Sequence, residues 1–215
     1  MRWGMVIDLS KCVSCCSCVV TCKAEHFLPA GVFWGKTVTG EIGTYPSTRK
    51  QFLPMPCQHC QEAPCEKVCP SDATQKRKDG IVWIDKDKCV GCRYCIVSCP
   101  YQMRTFLSKI NEHHPGQGFT EYELLGQQLY PHQEGTTVKC NFCMERIDEG
   151  LKKGLRPGVD REATPACIND CMPRARIFGD LDDPESEISR LIITRKAIPL
   201  RPEFGTNPSV YYIQS

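Results

Sequence analysis

Cysteine spacing constrains this chain more than any other feature of its sequence. Seventeen of the 215 residues are cysteine, and sixteen of these fall into four groups of four. The groups are Cys12, Cys15, Cys18 and Cys22; Cys57, Cys60, Cys65 and Cys69; Cys89, Cys92, Cys95 and Cys99; and Cys140, Cys143, Cys167 and Cys171. A chain with so many possible ligands is expected to fold around what it binds, so that binding and folding are coupled.

Groups one and three share the spacing C-x2-C-x2-C-x3-C, which is the ligand run of bacterial ferredoxins. Three cysteines at this spacing can wrap a tight loop around three corners of a [4Fe–4S] cube, and in two-cluster ferredoxins the fourth binds the other cluster. Groups two and four have the spacings C-x2-C-x4-C-x3-C and C-x2-C-x23-C-x3-C. These spacings are not diagnostic alone, and they indicate cluster ligands only because the other two groups are present. The sequence therefore predicts four [4Fe–4S] clusters.

Structural zinc and a disulfide framework are the alternative interpretations. Zinc sites draw two pairs of ligands from two separate knuckles, whereas groups one and three place three cysteines on one short loop. The close local spacings make poor disulfides. The first residues contain no long apolar segment, so no secretory signal peptide is expected, and a reducing compartment also argues against disulfides. Both alternatives are disfavoured.

The sequence contains an internal repeat. A shift of 77 residues carries Cys12, Cys15, Cys18 and Cys22 onto group three. Group two matches group four with shifts of 83 and then 102, which implies a 19-residue insertion within group four. Repeats of this length define architecture. We predict two ferredoxin-like halves, 1–75 and 76–180, which interleave through shared cluster ligation, followed by a C-terminal extension, 181–215.

The predicted fold class is α+β and loop-rich, with duplicated two-cluster units, an insertion at residues 102–139 and a C-terminal arm. What the arm packs against is left open. The segments 5–8 and 80–85 are typical of short strands that lead into a cluster loop. Short helices are expected after Cys18 and Cys95.

Several function classes are disfavoured by composition. The formal net charge of +2 does not indicate a nucleic-acid binder. No apolar stretch approaches the roughly 20 residues of a membrane helix. The chain has no P-loop, no G-x-G-x-x-G run and no evident nucleophile–base pair, and sixteen cysteines complete four clusters without an open iron corner. Electron transfer without a catalytic site in this chain is the predicted role.

Three other residues or pairs attract attention because they adjoin or resemble ligands. Cys16 flanks a ligand and is interpreted as a buried small residue, with a spare ligand or redox-active thiol as the alternative. His59 stands inside a C-x2-C pair and is interpreted as a hydrogen-bond donor or a spacer. His113 and His114 are interpreted as part of a solvated loop rather than as metal ligands.

The motifs DLSKCVSCCSC, CQHCQEAPCEKVCP, KCVGCRYCIVSCPY, KCNFC…PACINDC and GDLDDPES together span residues 4 to about 186. This region resembles the four-cluster iron–sulfur subunit of the molybdopterin (dimethyl sulfoxide reductase) family, the kind paired with polysulfide, thiosulfate, tetrathionate or arsenate reductases. Cys16 departs from the pattern, since a small residue is more usual there. The intact fourth group favours four cubanes over three cubanes and a three-iron cluster.

The resemblance implies crossed ligation. The implied sets are Cys12, Cys15, Cys18 and Cys171 for cluster 1; Cys140, Cys143, Cys167 and Cys22 for cluster 2; Cys57, Cys60, Cys65 and Cys99 for cluster 3; and Cys89, Cys92, Cys95 and Cys69 for cluster 4. It also implies a large molybdenum or tungsten pterin catalytic subunit and a membrane subunit that exchanges electrons with quinone. Such subunits are often exported folded with the catalytic subunit, so the side of the membrane, periplasmic or cytoplasmic, is left open with a slight preference for the periplasmic side.

The favoured function is thus an electron-transfer subunit of an anaerobic respiratory oxidoreductase complex. A stand-alone polyferredoxin and the electron subunit of a formate dehydrogenase or hydrogenase are the alternatives. The 102–139 insertion and the C-terminal arm argue against the polyferredoxin, because a free carrier has no need of docking segments.

Overall fold

The strands are short and are joined by long turns. The computed structural model describes residues 1–214. Its strands are β1 (Trp3–Asp8), β2 (Lys36–Ile42), β3 (Arg49–Met55), β4 (Thr74–Lys76), β5 (Val82–Ile84), β6 (Thr105–Leu107), β7 (Thr136–Val138), β8 (Arg176–Asp180), β9 (Ile198–Pro199) and β10 (Val210–Ile213). The strands predicted at 5–8 and 80–85 are confirmed as β1 and β5.

The helices are equally short, and the structure is a mixed α/β fold. They are α1 (Ser17–Glu25), α2 (Pro64–Lys67), α3 (Tyr94–Val97), α4 (Glu121–Leu129), α5 (Met144–Lys152), α6 (Ala166–Asn169) and α7 (Glu187–Thr194). The helices expected after Cys18 and Cys95 are α1 and α3, which begin one residue before those cysteines. Within residues 1–214, no helix has the length and apolar character needed to cross a membrane.

Strand β1 lies inside a four-stranded sheet of order β8-β1-β10-β9. All six of its residues are buried, which is typical of a strand covered on both faces. It runs parallel to β10, with Met5 opposite Val210, and antiparallel to β8, with Met5 opposite Phe178. The C-terminal segment therefore packs on its own domain, because β10 is an inner strand of this sheet.

Three two-stranded hairpins complete the strand pairing. Strand β4 pairs with β5, β6 with β7, and β2 with β3, all antiparallel. Strands β6 and β7 lie near the two ends of the 102–139 insertion, and α4 lies between them. The insertion is thus anchored at both ends by strands.

The pairing brings together cysteine groups that are far apart in sequence. Strand β1 precedes group one and β8 follows group four, and these two strands are neighbours. Helix α1 packs on α6, where the Thr21 hydroxyl donates to the Asp170 carboxylate at 3.0 Å. In the same way β4 follows group two, β5 precedes group three, and α2 packs on α3. Group one therefore lies beside group four, and group two beside group three.

The main core combines large apolar side chains with thiols. Trp3, Met5 and Tyr212 are buried together with Cys22 and Cys140. The Tyr212 hydroxyl donates to a backbone carbonyl of β3 at 3.2 Å, so that the C-terminal strand is tied to the chain before group two. Several cysteines thus belong to the core itself.

Candidate metal centre

The first cysteine loop connects β1 to α1. Ser14 and Cys16 adopt left-handed backbone conformations with φ of 57° and 58°, which curl the loop. Helix α6 packs on α1 and brings the end of group four to the same place. One cavity is consequently lined by the thiols of Cys12, Cys15, Cys18 and Cys171.

The third cysteine loop, between β5 and α3, has the same backbone form. Gly91 and Arg93 have φ of 66° and 65°, and they are the counterparts of Ser14 and Cys16 under the 77-residue shift. Its cavity is lined by the thiols of Cys69, Cys89, Cys92 and Cys95. The fourth thiol again comes from another group, in this case group two.

A third set of thiols lies in the main core and joins group four to Cys22. Burial raises the pKa of Cys22 well above its ordinary value, and the neighbouring charges of Cys140 and Cys167 raise it further. Burial also raises the pKa of Cys143, with Cys167 and Cys22 as its largest charged neighbours. Cys22, Cys140 and Cys167 belong to one buried cluster, and all three are charged neighbours of Cys143.

The fourth set joins group two to Cys99. Burial raises the pKa of Cys60 to about 12, and the charges of Cys57, Cys65 and Cys99 contribute to the rise. This set adjoins the third one: burial raises the pKa of Cys140 to about 12, and Cys57 is its largest charged neighbour. Charge interactions also join Cys18 to Cys167 and, through Arg104, Cys65 to Cys95, so that the four sets form a series.

Backbone amides donate to three of the sulfur atoms. The N–H groups of Thr74, Thr137 and Ala175 lie 3.4, 3.5 and 3.2 Å from the sulfurs of Cys69, Cys89 and Cys171 respectively. Such hydrogen bonds favour the thiolate over the thiol, and they tune the potential of iron–sulfur centres.

The donor set fits [4Fe–4S] clusters. Each set supplies four thiols, one for each iron corner of a cube. Thiols with raised pKa values would release their protons on binding iron and would be held there as thiolates. Within the described part of the chain, no three His, Cys, Asp or Glu side chains converge on the position of a single metal ion.

Three buried cations were missed in the sequence. Arg104, Lys139 and Arg176 are 6%, 4% and 6% exposed. Burial opposes the charge of Arg176, but the thiolates of Cys167 and Cys18 outweigh it and raise the pKa of the guanidinium. The signal that would have found them is position: each arginine stands five residues after the last cysteine of group three or four, and Lys139 directly precedes group four.

Cys16 is not buried, and the interpretation as a buried small residue is wrong. Its side chain is exposed and lines the same cavity as Cys12 and Cys15. Its thiol donates to the Ser14 carbonyl at 3.6 Å. The left-handed turn carries its side chain outward, which the spacing of the cysteines does not reveal.

The histidines have partners other than metal. His59 is buried, stacks on Phe142 with ring centroids 3.7 Å apart, and accepts at Nδ1 from the Val82 amide at 3.1 Å. His59 is therefore a hydrogen-bond acceptor at this nitrogen. His113 lies 2.7 Å from the Glu123 carboxylate in the 102–139 insertion.

Replacing Gly91 with alanine is expected to remove the iron bound at the Cys89 loop. The added Cβ would overlap the Gly135 carbonyl oxygen and lie 3.1 Å from the Phe106 ring, in a left-handed conformation that alanine also disfavours. The measurement is iron per chain after anaerobic purification, with a loss of about four atoms expected. Gly116→Ala is the control, because Gly116 also has positive φ but nothing within 4 Å of its Cβ position. Equal iron content in both variants would contradict the role of this close approach.

Comparison with known proteins gives consistent results. A family model described as a 4Fe-4S dicluster domain matches residues 48–114. The chain is 41% identical to a subunit of the selenate reductase of Mesobacillus selenatarsenatis, over 99% of this chain and 72% of that protein. It is 37% identical to the arsenate respiratory reductase iron–sulfur subunit of a Shewanella species, over 100% of this chain and 97% of that protein. It is 36% identical to a subunit of the tetrathionate reductase of Salmonella typhimurium, over 99% of this chain and 72% of that protein.

Proposed function

The chain belongs to the family of iron–sulfur electron-transfer subunits of reductase complexes, and from this premise we propose that it carries electrons through four [4Fe–4S] clusters between a molybdopterin catalytic subunit and a quinone-reactive membrane subunit or another electron partner. The observation that supports four clusters is the arrangement of sixteen thiols in four sets of four. Each cluster supplies one-electron transfer when bound.

The proposed ligand sets cross between groups. They are Cys12, Cys15, Cys18 and Cys171; Cys140, Cys143, Cys167 and Cys22; Cys57, Cys60, Cys65 and Cys99; and Cys89, Cys92, Cys95 and Cys69. The cavities lined by the first and last sets support this assignment, as do the charged neighbours of Cys22 and Cys60. The chain's part is to hold these thiolates, exclude water from the inner sets and donate backbone amides to sulfur.

We further propose that the chain is a duplication with two two-cluster units. Groups two and three form one unit, which the match of a dicluster domain to residues 48–114 supports. Groups one and four form the other, supported by the β1–β8 pairing and the α1–α6 packing. The sequence repeats 1–75 and 76–180 would then interleave, with β9 and β10 of the C-terminal extension completing the sheet of the second unit.

The partner is proposed by analogy with the relatives. Two of these are named as subunits of selenate and tetrathionate reductases, and a third as the iron–sulfur subunit of an arsenate respiratory reductase. A stand-alone polyferredoxin is not favoured, because such names belong to parts of larger complexes. We propose that the complex is attached to the membrane through the partner subunits, on the periplasmic side.

The first test is the metal and acid-labile sulfide content of the anaerobically purified chain. About 16 irons and 16 sulfides per chain, with negligible zinc, are expected for four cubanes. Roughly 15 irons would indicate a three-iron cluster, and zinc in place of iron would overturn the proposal. Co-purification from native membranes would then test the partner: a large pterin-containing subunit is expected, and a chain that purifies alone would contradict the subunit role.

A further inference from the structure

Of the 27 lysines and arginines, three are buried in the described part of the chain: Arg104, Lys139 and Arg176. None of the three forms a salt bridge with an Asp or Glu side chain within residues 1–214. The two buried carboxylates, Asp8 and Asp79, have other cations near them. A buried cation needs a countercharge, because taking it out of water is costly. Arg104 and Arg176 donate to cysteine sulfurs, and the charge of Lys139 acts on nearby cysteine thiolates.

Arg176 lies between the first two proposed ligand sets. Its guanidinium donates to the Cys167 sulfur at 3.7 Å and to the Met5 thioether at 3.8 Å. Cys18 is its next charged neighbour. Because Cys18 is assigned to cluster 1 and Cys167 to cluster 2, one positive charge faces both clusters.

Arg104 occupies the corresponding place at the other end. It donates to the Cys65 sulfur at 2.9 Å and to the Thr74 hydroxyl at 3.0 Å. Cys95 is its next charged neighbour and also a hydrogen-bond partner. Cys65 is assigned to cluster 3 and Cys95 to cluster 4, so that Arg104 also faces two clusters.

Lys139 lies in the middle of the series. Its ammonium group donates to the backbone carbonyls of Val82 and Cys140. Its charge acts on the thiolates of Cys140 and Cys65. These belong to the sets of clusters 2 and 3, so each consecutive pair of clusters has one buried cation beside it.

We propose that Arg176, Lys139 and Arg104 are potential-setting residues, each of which raises the reduction potential of the two clusters that it faces. The inference rests on the proposed function and on its ligand sets. A [4Fe–4S] cluster with four thiolates carries a charge of about −2 and gains another negative charge on reduction. A buried cation nearby favours the added electron, and low local polarity strengthens the effect. Without the cations, the accumulated negative charge of the series would oppose reduction of every cluster.

The test is a redox titration of all four clusters, followed by electron paramagnetic resonance, on the full chain purified anaerobically. Arg176→Gln is expected to lower two of the four reduction equilibrium constants by about tenfold or more, which is about 59 mV for one electron. Arg104→Gln is expected to lower the other two. Lys139→Met is expected to lower the reduction equilibrium constants of clusters 2 and 3, one from the pair of each arginine.

Arg77→Gln is the matched control. It removes one positive charge, but Arg77 is paired with Asp79 and Asp148 at 2.9 and 2.6 Å, and its removal is expected to leave all four potentials unchanged. Unchanged potentials in Arg176→Gln and Arg104→Gln, or equal shifts of all four clusters in each variant, would overturn the proposal.

Conservative variants cover the case in which a glutamine variant fails to assemble. Arg176→Lys and Arg104→Lys keep the charge and are expected to keep iron content and potentials near those of the parent. If these variants keep four clusters but the reduction equilibrium constants still fall tenfold, the positive charge is not the cause. If the parent chain itself lacks four clusters, the proposed function fails rather than this inference.

Discussion

Replacing Cys171 with alanine is expected to remove the same cluster that Cys12→Ala removes, although the two residues lie 159 positions apart in the sequence. Both thiols line one cavity, because α6 packs on α1. An iron corner without its thiolate leaves the cluster open to loss or to conversion to a three-iron form. Cys22→Ala is expected to affect a different cluster, the one that Cys140→Ala also removes. The measurement is iron content together with the redox titration steps that disappear in each variant.

The exposed thiol next to a proposed ligand provides the matched control for these variants. Cys16→Ala removes a thiol from the same loop and the same cavity, and about 16 irons per chain are expected to remain. Crossed ligation would be refuted if Cys12→Ala and Cys22→Ala lost the same titration step. Such a shared loss would mean that the four cysteines of group one bind one cluster. Loss of cluster 1 in Cys16→Ala would assign Cys16 as a ligand.

Removal of iron is expected to unfold the chain. Cys22, Cys140 and Cys167 belong to the main core, beside Met5 and Tyr212, so that the core includes the metal site. Without iron, buried thiols with raised pKa values remain protonated, and no metal–sulfur bonds link the four groups. We expect amide hydrogen exchange in β1 and β10 to accelerate by about a thousandfold or more after anaerobic chelation.

The internal control for this measurement is the exposed part of the 102–139 insertion around residues 112–119, which is expected to exchange rapidly with or without iron. Reconstitution with iron and sulfide should restore protection in the two strands. A chelated chain that keeps slow exchange in β1 would show that apolar packing alone holds the sheet together.

Local sequence rules were sufficient where the chemistry is local. Three cysteines on one tight loop identify an iron–sulfur ligand run, because the spacing must match the corners of one cube. Strand β1 was predictable for a similar reason, since its apolar run leads directly into the loop. His113 was rightly assigned to a loop, although its contact with Glu123 was not foreseen.

Other features depend on contacts between residues far apart in sequence. Nothing in the C-terminal residues shows that Val210 will lie opposite Met5 in the sheet. Nor does the sequence show that Cys16 points outward, because this follows from the left-handed turn at that residue.

The amino-acid sequence by itself predicted the metal-binding residues and identified the kind of cluster and the family, because thiolate chemistry and short-range spacing are properties of neighbouring residues. Only the tertiary structure decided which strands and helices bring the cysteine groups together and which cations are buried among the thiols. Only their position, five residues after the last cysteine of a group, distinguishes Arg104 and Arg176 in the sequence from the other basic residues. Their burial beside sulfur depends on strand pairing and helix packing across the whole chain, and so does the strength of their charge, since exclusion of water sets the local dielectric.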